Sequence, residues 1–312
     1  MVDPPLSHPP IPKHKLGAPL GASLVVLSSL FYASYGIWTK LMGNFFGGYT
    51  ASALRSVVVL LILIPIAIMY RQWEPVNWEQ NWRYLLGMLV SALFIWGPLY
   101  YAILHAGVGI SLAVNYASIV IGAFFFGWLF ANERFTKDKW LSAILGLLGL
   151  YLVFVPSVSS LGWLALGAAV LSGVSGAANM VMAKQISYNT TQSAIAVWTT
   201  SVIANGFMAF ILGEPHPVTS WHVQWFYLVA FAVASVIASW SLIGGVKLID
   251  AGAAGILGLL EIAFGVAFGA ILFGEHFGAV VLLGVATIIV AAAIPYIKDY
   301  NSNRGTLTES KG

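Results

Sequence analysis

Two charged side chains stand inside long apolar runs of this chain, Arg55 in Ala53-Leu54-Arg55 and Glu261 in Leu260-Glu261-Ile262. A charge near the centre of a bilayer costs about 2.5–3.5 kcal/mol even on lenient insertion scales, so each needs a partner, a wet cavity or a route to the surface. A glutamate in that position can hold a substrate amine, carry a coupling proton or bond a neighbouring helix. An arginine can hold an anionic group, or, near the outer end of its run, snorkel outward and do little. Polar and aromatic residues recur at helical spacing around them: Tyr32 and Tyr35 with Ser28 and Thr39; Asn115 with Ser111, Ser118 and Gly122; Asn179 with Ser172 and Ser175; Trp198 with Ser201 and Asn205. Each set falls on one helical face. The tyrosines and asparagines have more hydrogen-bonding capacity than packing needs, which makes them candidates for substrate contact as much as for interhelical bonds. A further stripe, Phe94, Pro98, Tyr101 and His105, ends in a titratable group. Glu261 and His105 are therefore the candidates for proton coupling. Gly258, Gly265 and Gly269 share a face with Glu261, and Gly265 and Gly269 form a small-xxx-small pair expected to let two helices approach.

The elements that must position these groups are membrane helices. Hydrophobic residues make up 59% of the 312 and charged residues 8%, with a mean hydropathy of +0.87, against roughly 25% charged in soluble domains. About 20 apolar residues span a bilayer core. Ten runs qualify, at 20–42, 49–70, 82–104, 107–130, 138–156, 161–183, 192–212, 222–245, 251–273 and 278–297. The expected fold class is thus all-α and integral to the membrane, with ten transmembrane helices. A Pro-rich segment, 1–19, precedes them as a disordered tail, and 298–312 follows as a second tail. With the N-terminus inside, twelve Lys and Arg residues lie on the cytoplasmic side, from Lys13 and Lys15 to Lys298, Arg304 and Lys311, while the external ends hold only Lys40. That bias predicts cytoplasmic termini. Basic residues scattered in this way do not form a nucleic-acid surface. The chain has no cysteine, and no metal or cofactor motif is expected of it.

The halves are punctuated alike. Asn132-Glu133-Arg134 and Gly274-Glu275-His276 each end an apolar run and precede one more, and the two glutamates lie 142 residues apart. Such self-similarity indicates duplication. Five crossings per unit would place the copies upside down relative to each other, the architecture of many transporters. The units are expected at 20–156 and 161–297, with Glu133 and Glu275 as structural residues at helix ends.

These motifs resemble the EamA-type branch of the drug/metabolite transporter superfamily. Its second unit carries Leu-Glu-Pro, a small and apolar run, then Gly-Glu-Arg. Here Leu260-Glu261-Ile262 and Gly274-Glu275-His276 stand at the matching spacing of 14, with isoleucine for the proline and histidine for the arginine. The proline kink is therefore not implied for this chain. In the first unit Ile119 stands where Glu261 would align, and Asn132-Glu133-Arg134 survives. Arg55 in helix 2 and Phe31-Tyr32-Ala33-Ser34 in helix 1 match family tendencies. The resemblance covers residues 20–297 and implies two inverted five-helix repeats around a central cavity lined by helices 1–4 and 6–9, with helices 5 and 10 as peripheral support. It also implies alternating-access export or exchange of small metabolites, often amino acids, across a bacterial inner membrane.

No Gly-x-x-x-x-Gly-Lys-Ser/Thr loop, Gly-x-Ser-x-Gly elbow or His-Glu-x-x-His pair occurs, so neither direct ATP drive nor an intramembrane enzyme is expected. The expected partners are a small-molecule solute, the lipid bilayer and, in one version, protons; the oligomeric state is not legible. Two other readings stay open: an uptake carrier for a small cation such as a quaternary amine held by aromatic rings, and a non-transporting membrane subunit.

Overall fold

The computed structural model describes residues 17–73, 78–134, 136–154, 162–186, 189–215 and 220–309, without the side chains of 78–80 and 295–309. The expected disordered tail falls outside these residues up to position 16; helix already begins at Gly17. All regular elements among the described residues are helices, as sequences without aqueous backbone partners require in lipid. They are α1 (Gly17–Ala33), α2 (Tyr35–Met42), α3 (Gly48–Met69), α4 (Trp78–Leu93), α5 (Trp96–Ala106), α6 (Val108–Ala131), α7 (Lys137–Phe154), α8 (Trp163–Gln185), α9 (Thr190–Ile211), α10 (Val223–Val246), α11 (Ala251–Gly258), α12 (Leu260–Phe273) and α13 (Ala279–Glu309).

Eight of the resulting rods are long and apolar enough to cross a membrane, counting α1–α2, α4–α5 and α11–α12 as one each. The two other expected crossings are shorter as apolar segments. α7 has Lys137, Asp138 and Lys139 in its first turn, and only 279–294 of α13 form an apolar helix. These two pack together through facing glycines: a Cβ at Gly149 or at Gly284 would lie 2.7 Å from the other's carbonyl oxygen. α3 and α9 pack along their length and share a core with α10 built on Val59, Leu63, Ala194 and Trp198. α6 meets α8 just as closely, since a Cβ at Gly122 would stand 2.8 Å from that of Ala177. Large apolar side chains such as Leu61, Ile68, Phe210 and Ile271 point outward at 67–83% exposure, the surface a bilayer would cover.

Three rods are broken. Helix 3 of the sequence reading breaks at Phe94 and Ile95, so Phe94 does not share a helix with Tyr101 and His105. Helix 9 breaks at Leu259, which separates Gly258 from Glu261 even though no proline is present. The first rod breaks at Ser34. At each break a carbonyl released from the ladder finds a hydroxyl: Ser34 Oγ donates to Phe31 O at 2.6 Å, Ser172 Oγ to Ile95 O at 2.5 Å, and Ser29 Oγ to Leu257 O at 3.2 Å. Interruptions in membrane helices persist where neighbouring side chains supply such partners.

Candidate functional site

Each break sits next to a residue of the site, two of them sequence candidates and one, Trp96, not among them. Tyr35 follows the first, Trp96 the second and Glu261 lies two residues beyond the third. Tyr35, Trp96, Trp198 and Phe231 surround the Arg55 guanidinium, whose carbon lies 4.9, 5.4, 5.4 and 4.3 Å from their ring centroids. Arg55 is 3% exposed. It does not snorkel; the chain folds α1–α2, α5, α9 and α10 around it. The rings stabilise the cation through their faces, but Nε and Nη2 have no hydrogen-bond partner among the described residues. Nor does any described carboxylate pair with Arg55. A buried donor left unmet costs about 1–3 kcal/mol, more for a charged group. A carboxylate or phosphate would meet such a fork in two parallel bonds.

Glu261 occupies the first turn of α12 and is part-buried, with the Tyr116 hydroxyl of α6 in hydrogen-bonding reach. Tyr32 and Tyr35 meet edge to face at 5.1 Å, with Tyr35 against the Arg55 guanidinium and Tyr32 on the Glu261 side. The site therefore has a cationic end, an aromatic middle and an acidic end. Tyr116 and Phe231 belong to it without having been singled out in the sequence. Tyr116 adjoins the Asn115 stripe by one position, and Phe231 lies in an apolar run with no periodic mark.

The remaining candidates are distributed differently. Asn115 Nδ2 donates to Ser172 Oγ at 2.8 Å, and Ser172 in turn holds the break carbonyl of Ile95. Asn179 Nδ2 donates to Met88 O at 2.7 Å, tying α8 to α4. Asn205 Nδ2 donates to Ser201 O at 2.8 Å, and Ser201 Oγ meets Ser56 Oγ at 2.9 Å, next to Arg55. Trp198 donates from Nε1 to Ser239 Oγ at 3.0 Å, which fixes its ring below the guanidinium. Tyr101 and His105 stack on each other at 4.0 Å and are both exposed, outside the Arg55 box.

Gly265 and Gly269 do not form the expected seam. A Cβ at Gly258 or Gly265 would meet nothing within 4 Å, and at Gly269 it would meet the nearby Glu275 carboxylate, from the turn just beyond its own helix, at 2.6 Å. α12 packs on α1, and beside that contact an open apolar groove of about 410 Å³ is lined by residues such as Val26, Leu30, Leu257 and Phe264.

The two ends of the bundle can be told apart because α11–α12 runs from one to the other. At its start, Glu133 accepts the Ala251 N–H at 2.9 and 2.8 Å through its two oxygens and pairs with Lys184 at 2.6 Å. Lys184 Nζ also donates to Ile249 O at 2.7 Å, and Lys139 pairs with Asp250 at 2.5 Å. At its finish, Glu275 pairs with Lys40 at 2.9 Å, with both side chains about half exposed. The α3/α9 pair is fastened at both ends. Glu214 accepts from Tyr49 N, Thr50 N and Thr50 Oγ1 at 3.1, 2.7 and 2.7 Å, and at the other end Thr191 Oγ1 donates to Gln72 Oε1 at 2.5 Å and Asn189 to Gln72 O.

Broken membrane rods that put an unpaired cation and a carboxylate around a polar interior define a polytopic membrane protein of the transporter type. The sequence matches the EamA-like transporter family twice, over residues 19–155 and 163–296. The chain belongs to that family. Among solved structures 29 chains match it. One, described as "Crystal structure of protein", superposes with a TM-score of 0.76 at 16% sequence identity, covering 89% of this chain and 96% of that one; the likeness is one of fold. No curated protein matches the chain.

Proposed function

We propose that this protein is a secondary transporter of ten crossings, arranged as two inverted five-helix units at 20–156 and 161–297, that carries a small zwitterion of the amino-acid type by alternating access. Arg55 takes the carboxylate, Glu261 the ammonium, and Tyr32, Tyr35 and Trp96 the side chain between them. One observation carries this reading: a guanidinium 3% exposed, boxed by four rings, with two donor nitrogens left without acceptors. Asn115 supports the Ile95 break through Ser172, Asn179 ties α8 to α4, and Asn205 positions Ser201 beside Arg55. The Lys184 end, which also bears Arg71, Arg134 and Lys247, is cytoplasmic by the distribution of positive charge, and export follows where the solute gradient points outward. A plasma membrane of a bacterium is the setting we assign. Quaternary-amine uptake is less well supported, because the rings such a cation would need already face Arg55.

The test is a panel of amino acids, amines and nucleosides scored by thermal shift on the purified chain, followed by flux in vesicles. Arg55→Ala should weaken binding of a carboxylate ligand by about 10- to 100-fold, the worth of a charge-assisted hydrogen bond or two. Glu261→Gln should discriminate against ligands with an amine. If neither change alters binding or flux, the site is elsewhere. Glu261 is also the proton-coupling candidate, with Tyr116 orienting its carboxyl; flux that is flat across pH in the wild-type chain would remove that role, and His105 with it.

A further inference from the structure

The two caps at the ends of α6 and α12 have the same local build. In each, a left-handed residue, Asn132 at φ 51° or Gly274 at φ 64°, ends the helix, and the following glutamate N–H reaches back six residues, Glu133 to Gly127 O at 3.0 Å and Glu275 to Gly269 O at 3.1 Å. In each, the carboxylate folds over that glycine: a Cβ at Gly127 would lie 2.7 Å from Glu133 Oε2, and at Gly269 2.6 Å from Glu275 Oε2. In each, a lysine near the end of a unit's first rod pairs with the glutamate, Lys184 with Glu133 and Lys40 with Glu275. What differs is the third member. Glu133 grips the first N–H of α11, and Ala251 is 0% exposed. The counterpart of α11 in the other half is the start of α6, where Gly107 supplies no side-chain cap and Val108 is 56% exposed.

We propose that Glu133 and Glu275 are alternating latches. In the form described here Glu133 and Lys184 hold the start of α11 closed, while the start of α6 stands free of Glu275. In the opposite form Glu275 and Lys40 swing onto the N–H groups at Val108 and Gly109, where a carboxylate is favoured by the helix dipole, and Glu133 releases Ala251. Room for that movement lies in the open groove along α1, lined also by Leu257 and Phe264, and in the free space beside Gly258 on α11 and Gly265 on α12. The α3/α9 pair, tied at both ends at once, serves as the fixed frame. This inference rests on the inverted-repeat transporter reading.

The absence of native cysteine makes single engineered cysteines direct reporters in the purified full-length chain. Val108→Cys should react quickly with a bulky maleimide and Ala251→Cys slowly. Adding Glu133→Gln should raise the rate at Ala251→Cys about tenfold, the scale of one hydrogen bond to a charged group, and lower the rate at Val108→Cys. Adding Glu275→Gln to that variant should restore reactivity at Val108→Cys. Unchanged rates, or opening at Ala251→Cys without protection at Val108→Cys, would overturn the alternation. Val59→Cys, at 0% exposure in the α3/α9 core, reports loss of fold; if it reacts, Lys184→Gln removes the same pair from its other side and is read instead. Labelling needs no solute, so exchange of accessibility in a chain without flux would keep the latches and remove transport. Flux without exchange would do the reverse.

Discussion

Residues 127–134 and 269–276 fold into the same cap, and yet the two glutamates that close them hold different partners. Glu133 is a junction of three elements, with Ala251 N–H and Lys184 both committed to it and its side chain 10% exposed. Glu275 has Lys40 alone, at 45% exposure. The seams between helices differ too, but the tight one lies toward the start of α6 rather than beside Glu133. α8 presses on α6 so closely that a Cβ at Gly173 would strike the Asn115 carbonyl, whereas Gly265 on α12 faces open space. Local sequence repeats have thus produced local structural repeats, while the packing between helices has broken the equivalence.

The contrast can be broken by substitution. Glu133→Ala leaves a part-buried lysine and a buried helix N–H without their acceptor, and should cost about 3–5 kcal/mol, the usual loss when one partner of a buried pair is removed. A midpoint shift in thermal unfolding smaller than that of Glu275→Ala would contradict the assigned roles. Gly173→Ala comes next: a side chain forced against backbone should cost about 1–3 kcal/mol, read by the same melting experiment. Glu275→Ala removes an exposed pair and should change stability by no more than about 1 kcal/mol. Its effect should shrink further at high salt, since exposed charges are screened. Smallest of all, Gly265→Ala should be neutral or stabilising by a few tenths of a kcal/mol, because alanine favours helix and nothing obstructs it in this form. It should also hold Val108→Cys reactive, by filling the free space beside α12.

Several of these relations were legible before any coordinates. The two glutamates, their spacing and the lysines that pair with them are visible as letters, and the apolar runs marked the helices to within a few residues. Arg55 and Glu261 stood out because charge in an apolar run is costly. Pro98, four residues after Phe94, marked the second break in the sequence; no proline marks Ser34 or Leu259, and at Ile95 and Leu257 the hydroxyl donor comes from another helix. Tyr116 escaped notice for a related reason, since its partner Glu261 lies far along the chain. The glycine pair at 265 and 269 misled, because small residues permit close approach without requiring it.

The sequence by itself determined a membrane-embedded, duplicated, all-helical chain, because hydropathy and charge placement act residue by residue against the bilayer. Only the tertiary structure decided that Arg55 is boxed by aromatic rings rather than snorkelled, and that Glu133 holds both Lys184 and the start of α11 while Glu275 pairs with Lys40. Those outcomes depend on which helices meet, and in lipid that is set by close packing and interhelical hydrogen bonds, which no single segment encodes alone.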